Sequence, residues 1–169
     1  MAGDSTKIKL GAAWVTFGTI AGNVGEVVDL GYTKGGVTIT MDTTVYEITV
    51  DQEGTSPVAA TILGRRATVD FSMAESDYER LAKIVPESSY SGGLLDINSG
   101  IGADLMDYED VLVVTSKADA QDYIKLYSAV PVTSLRATFA PDGERLWPVQ
   151  FIGLIESGTE KLIGLHEAT

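Results

Sequence analysis

The sequence predicts an all-β fold with one helix: a barrel or sandwich of about eight strands, a single amphipathic helix packed on the sheet, and long loops. Three observations predict it. Apolar and polar residues alternate with a period of two in several segments, as strands with one buried face require. Only one segment carries the helical period. Gly, Pro, Ser and Asp cluster between these segments, where turns need them. At 169 residues and 44% hydrophobic content, the chain is sized for a single domain with its own core, residues 1–169.

The first expected strand is residues 12–17. In residues 36–41, Val37, Ile39 and Met41 alternate with Thr38 and Thr40. In residues 46–51, Tyr46, Ile48 and Val50 alternate with Glu47, Thr49 and Asp51. The second set should therefore face away from the core. A loop with Gly54 and Pro57 follows. Residues 58–63 and 66–73 then read as a hairpin around Gly64 and Arg65. Ser76 and Glu79 have capping-box spacing, Tyr78, Leu81, Ala82 and Val85 share one helical face, and Pro86 ends the segment, which predicts a helix of about three turns. Residues 88–110 are rich in Ser, Gly and Asp and read as a long surface loop. Strands are expected again at 111–116, 123–130, 133–140 and 147–155, the last two paired through the turn at Pro141, Asp142 and Gly143.

Composition excludes most chemistry. There is no Cys and a single His, His166, so thiolate nucleophiles, disulfides and His-based metal sites cannot be built. The acids show no spacing that marks a catalytic pair, so no enzyme and no cofactor is expected. Gly18, Gly22 and Gly25 lack the spacing and the βαβ setting of a dinucleotide loop. The acidic run around Asp104 and Asp107 does not fit a calcium loop and reads as solvated. Trp14, Trp147, Tyr123 and Tyr127 read as core or interface residues rather than stacking platforms for sugars or bases.

Twenty-four acidic against twelve basic residues give a net charge of −12, the wrong sign for gripping nucleic acid. The same charge lets a polyanion slide past without sticking. The first ten residues do not form a secretory signal, and no apolar run reaches the roughly 18 to 20 residues of a membrane span. A soluble, cytosolic protein that does not enter membranes is expected. Strands with Thr, Ser or charge on their outer faces, next to long loops, suit a subunit whose edges are completed by neighbours.

Residues 37–85 carry a resemblance. An alternating strand leads to a second one running into Val50, Asp51, Gln52, Glu53, Gly54, Thr55, Ser56 and Pro57. Residues 58–64, the strand from Ala67 through Glu75 and the helix from Asp77 follow. This order resembles the tail tube (major tail) protein family of long-tailed bacteriophages, over roughly a third of the chain. The strand from Trp147 through Ile155 is similar, less specifically, to that family's closing strand.

The resemblance implies a subunit that forms rings, usually hexameric, which stack into a hollow tube conducting viral DNA, and the surplus of acids predicts an acidic lumen. Residues 42–57 become a bridging loop, and residues 1–13 and 155–169 become N- and C-terminal arms. The implied partners are the chain itself, tail terminator, tape measure, baseplate or tail-tip and sheath proteins, with DNA passing unbound. The implied location is the virion tail, assembled in the host cytoplasm. Gln52, Glu53, Gly54, Thr55, Ser56 and Pro57 are the expected ring contact. Glu47, Thr49, Asp51, Asp70, Ser72, Asp104 and Asp107 are candidates for a lumen or ring surface. The tube of a contractile secretion or bacteriocin-like machine, and a soluble β-sandwich binding module, are the alternatives.

Overall fold

The computed structural model describes residues 12–18, 28–75, 77–136 and 143–167. Among these residues, ten strands and one α-helix run in the order β1 (Ala13–Phe17), β2 (Val28–Asp29), β3 (Thr33–Thr49), β4 (Pro57–Met73), α1 (Tyr78–Ile84), β5 (Ser88–Ser91), β6 (Leu94–Ile97), β7 (Asp110–Ser116), β8 (Tyr123–Pro131), β9 (Trp147–Leu154) and β10 (Ile163–His166). The predicted fold class is correct. One eight-stranded sheet has the order β2-β1-β7-β8-β9-β4-β3, with β10 paired to β8, and every pairing is antiparallel.

Alternation builds the core directly. In β4, Ala67, Val69, Phe71 and Met73 are buried while the residues between them are half-buried, and β9 buries Trp147, Val149, Phe151 and Gly153 in the same way. Val15 and Phe17 of β1, Leu112 and Val114 of β7, and Leu126 and Ala129 of β8 complete one cluster. The sheet curls until the residue leading into β3 meets β1, with the Trp14 and Tyr32 rings 5.7 Å apart.

The helix lies over this core with Leu81 and Ile84 fully buried. It is shorter than expected, seven residues, because the chain is already extended at Val85 before Pro86. Its start is capped by Asp77, whose Oδ1 accepts from the N–H groups of Glu79 at 3.0 Å and Arg80 at 3.4 Å. Ser76, expected to cap, lies outside the described residues. Arg80 pairs with Glu75 at 2.7 Å directly over Gly31, which sits at φ +79°. A Cβ there would fall 2.4 Å from Arg80 Nη1 and 2.6 Å from Glu75 Oε2. Gly31→Ala therefore combines left-handed strain with loss of that ion pair. A stability loss of about 1–3 kcal/mol is expected in urea unfolding, and a loss below a few tenths would refute the close approach.

Several boundaries differ from the sequence reading. Residues 36–41 and 46–49 belong to one 17-residue strand, with Val50 and Asp51 beyond its end, and residues 58–63 and 66–73 belong to another. No hairpin forms at Gly64 and Arg65, because both halves of β4 pair with β3, Gly64 opposite Thr44 and Arg65 opposite Thr43. Residues 88–110 are not simply a loop: β5 and β6 form a small hairpin through Gly92 and Gly93, both at positive φ. Described residues 133–136 form no strand, and 137–142, including most of the predicted turn, lie outside the described residues. The partners of β9 are β8, with Val130 opposite Ile152, and β4, with Val69 opposite Phe151. The C-terminal β10 was missed because four residues containing Gly and His carry little alternation.

Candidate functional site

Beyond the core, β3 and β4 continue together as a ribbon. The pairing of β4 with β9 stops at Ala67 opposite Gly153, so residues 42–49 of β3 and 57–66 of β4 pair only with each other. All of these residues are exposed. Eight residues at about 3.3 Å each carry the ribbon roughly 25 Å past the sheet. The residues 42–57 thus do not form a bridging loop throughout. Residues 42–49 are strand, Thr and β-branched side chains favouring the extended chain, and only residues 50–56 connect.

The connection is a tight tip. A 3-10 turn, Asp51–Glu53, is held by Glu53 N–H donating to Val50 O at 3.0 Å, and Gly54 turns the chain at φ +64°. Gln52, Glu53, Gly54, Thr55, Ser56 and Pro57 all lie at this tip and are exposed, as are Glu47, Thr49 and Asp51 beside them. Glu47 and Thr49 share strand parity with Val37 and Ile39, which pack on the core. This reverses the expected facing: counted along β3, they lie on the continuation of the core side, and Tyr46 and Ile48 lie on the opposite side. The core ends before it reaches them, so both sides meet water.

The side chains left in water include large apolar ones. Tyr46 is 57% exposed, Ile48 41%, Ile62 52% and Leu63 66%, with Met41, Val45 and Val58 close to half. Bulges at Leu63 and Val58, the residues skipped in the register, sharpen the twist and throw these side chains outward. A two-stranded ribbon is marginal in water unaided, and an apolar one invites a partner. Among the described residues, the outer edge of β3 is likewise unpaired along its length, a template for another strand.

The remaining candidates sit elsewhere. Asp70 and Ser72 lie on the outer, polar face of the sheet beside Thr38, where Gln150 Nε2 donates to Asp70 Oδ1 at 2.6 Å. Lys34 and Arg136 border the same shallow groove, and Lys34 pairs with Glu144 at 2.6 Å, so this face is polar and mixed in charge rather than acidic. Asp104 and Asp107 lie apart from it in the 3-10 turn Leu105–Tyr108, which Asp104 caps by accepting from Met106 N–H at 2.9 Å. Next to Asp107, Tyr108 donates its hydroxyl to Glu87 at 2.8 Å, and that bond raises the phenol above its ordinary value. Among the described residues, no group of three or more His, Asp or Glu side chains could hold a metal ion, and no helix is long and apolar enough to cross a membrane. The sequence reading missed the ribbon, whose signal was the run of β-formers on both sides of Gly54 without a second turn.

No protein-family model matches the chain, and no curated protein matches its sequence. Its fold belongs to a class seen in particles that carry a tail. One similar chain is in the tail of an empty GTA particle refined helically with C6 symmetry: TM-score 0.52, 11% identity, 98% of this chain and 100% of that chain covered. A second is in the virion of a native gene transfer agent particle: TM-score 0.50, 7% identity, 98% and 100% covered. At these identities the likeness is one of fold, and it runs the length of both chains.

Proposed function

We propose that the chain is a structural subunit of a phage-type tail tube, assembling into rings, hexameric in number, that stack into a hollow conduit for viral DNA. The observation that carries this is the ribbon of β3 and β4, apolar and exposed on both faces among the described residues, a surface suited to cover by a neighbouring subunit. The fold shared with a chain of a tail refined with C6 symmetry supports the ring count.

Ring closure would occur by strand addition at the open edge of β3, whose stretch of residues 37–44 carries one charge, Asp42, and no Pro to block pairing. The polar outer face with Thr38, Asp70 and Ser72 is the candidate lumen wall. The net charge of −12 disfavours adhesion of DNA to the subunit as a whole. The exposed tip, Gln52 through Pro57, would reach the next ring; of the expected arms 1–13 and 155–169, Ala13 and residues 163–166 are held in the sheet, in β1 and β10, so an arm role falls to what remains of each segment. Tail terminator, tape measure, tip or baseplate and sheath proteins are the partners such a tube requires.

The test is negative-stain electron microscopy with light scattering on the purified chain, over a concentration series at near-physiological salt. Rings with a central hole, or tubes of uniform width, are expected. A monomer at every concentration that instead binds a glycan in a screen would replace this reading with that of a binding module.

A further inference from the structure

Where the ribbon leaves the sheet, β9 ends at Leu154 and the chain swings away before returning as β10. The gap is a groove of about 670 Å3, within the size range of clefts that hold a ligand. Its apolar surface comes from Met41, Ile62, Leu63, Tyr127, Ile155 and Leu162. Its charge is unusual for this chain. Arg65 and Lys161 line it against one acid, Glu160, and Lys125 and Lys161 both lie over the Tyr127 ring, at 4.7 and 5.2 Å from its centroid. Arg65, Lys125 and Lys161 form no ion pair among the described residues. In a chain with twice as many acids as bases, two cations against one acid in the cleft lining, with Lys125 on the ring of Tyr127, are a local reversal of sign.

The ribbon's far end has the complementary character. Residues 35–64 contain no Lys or Arg. The tip presents Asp51 and Glu53 between Val50 and Val58, which are 38% and 50% exposed. We propose that the groove at the base of the ribbon is the acceptor for the acidic tip of a second copy of this chain, an inference that rests on the ribbon being an assembly surface. A tip cannot fold back into its own groove, because the paired ribbon holds the two ends roughly 25 Å apart. The contact is therefore between copies, and donor and acceptor lie at opposite ends of one ribbon. Such a contact is heterologous and does not close on itself, so it propagates along the ribbon and stacks one copy on the next. Opposite charge sets the register, and the apolar side chains at both ends supply the burial.

The chain has no Cys, so cross-linking reads the contact cleanly. A mixture of the Glu53→Cys chain and the Lys161→Cys chain under mild oxidation is expected to give the mixed dimer as the main linked species, and the chain carrying both substitutions a ladder of oligomers. In parallel, Arg65→Glu with Lys161→Glu should raise the concentration needed for assembly about tenfold or more, and adding Asp51→Lys with Glu53→Lys in the same chain should restore it. Tubes that form without the mixed dimer, linkage of Glu53→Cys mainly to itself, or a charge swap that restores nothing would each overturn the groove as acceptor while leaving the ribbon reading in place. Absence of both tubes and links would overturn the two together.

Discussion

A chain carrying Tyr46→Asp together with Ile48→Asp is expected to fold as the wild type does and to fail to assemble. Both side chains sit on the ribbon, 57% and 41% exposed, outside the buried cluster. Their loss should change monomer stability by no more than about 0.5 kcal/mol. In an assembled ring or stack they would be covered, and large apolar anchors at the centre of an interface are worth about 2–4 kcal/mol each. At about 1.4 kcal/mol per tenfold, two such losses raise the concentration needed for assembly by roughly a thousandfold or more, before the cost of burying two carboxylates is added. Sedimentation velocity beside thermal unfolding measures both quantities. Assembly at the wild-type concentration would mean that this face stays in water and that the ribbon serves another purpose.

The sequence showed the core and hid the ribbon, for one physical reason. Alternation reports a buried face, and it located residues 66–73, 111–116, 123–130 and 147–155 closely because each has an apolar row against the same cluster. The ribbon has no buried face within the subunit, so its residues obey no such rule. Tyr46, Ile48 and Val50 read as a fragment of a half-buried strand, and Gly64 read as a turn, when a bulge at Leu63 merely shifts the register between two strands that run on together. Facing followed the same fault: parity was counted from Tyr46 as though it met the core, whereas the parity of Val37 and Ile39 continues through Glu47 and Thr49. The expected contact at Gln52 through Pro57 rested on strand alternation, on the loop's position and on the family resemblance. The cationic groove was not legible, since Arg65, Lys125 and Lys161 come together only through the pairing of β10 with β8.

Phe151→Ala is expected to be the most destabilising single substitution in the buried cluster. Phe151 is fully buried, lies 4.9 Å from the Phe17 ring and stacks at 6.3 Å on Phe71, and is paired in register with Val69 on one side and Pro131 on the other. It thereby ties β1, β4, β8 and β9 at one point. Removing a buried ring of this kind costs about 3–5 kcal/mol, through lost burial and the cavity left behind. For a chain of this size that lowers Tm by about 6–20 °C. Phe151→Leu, which keeps most of the volume, should lose far less. A fall of only a degree or two for the alanine variant would place the centre of the core elsewhere. The contrast with the ribbon gives the pair of experiments its force. The buried half of β4 is the anchor from which the exposed half projects, so Phe151→Ala should weaken assembly only in proportion to the fraction unfolded, with recovery on cooling. Tyr46→Asp with Ile48→Asp should abolish assembly in a chain that is fully folded. If both variants lost assembly and stability together, the ribbon would be part of the core's cooperative unit rather than a surface held out for a neighbour.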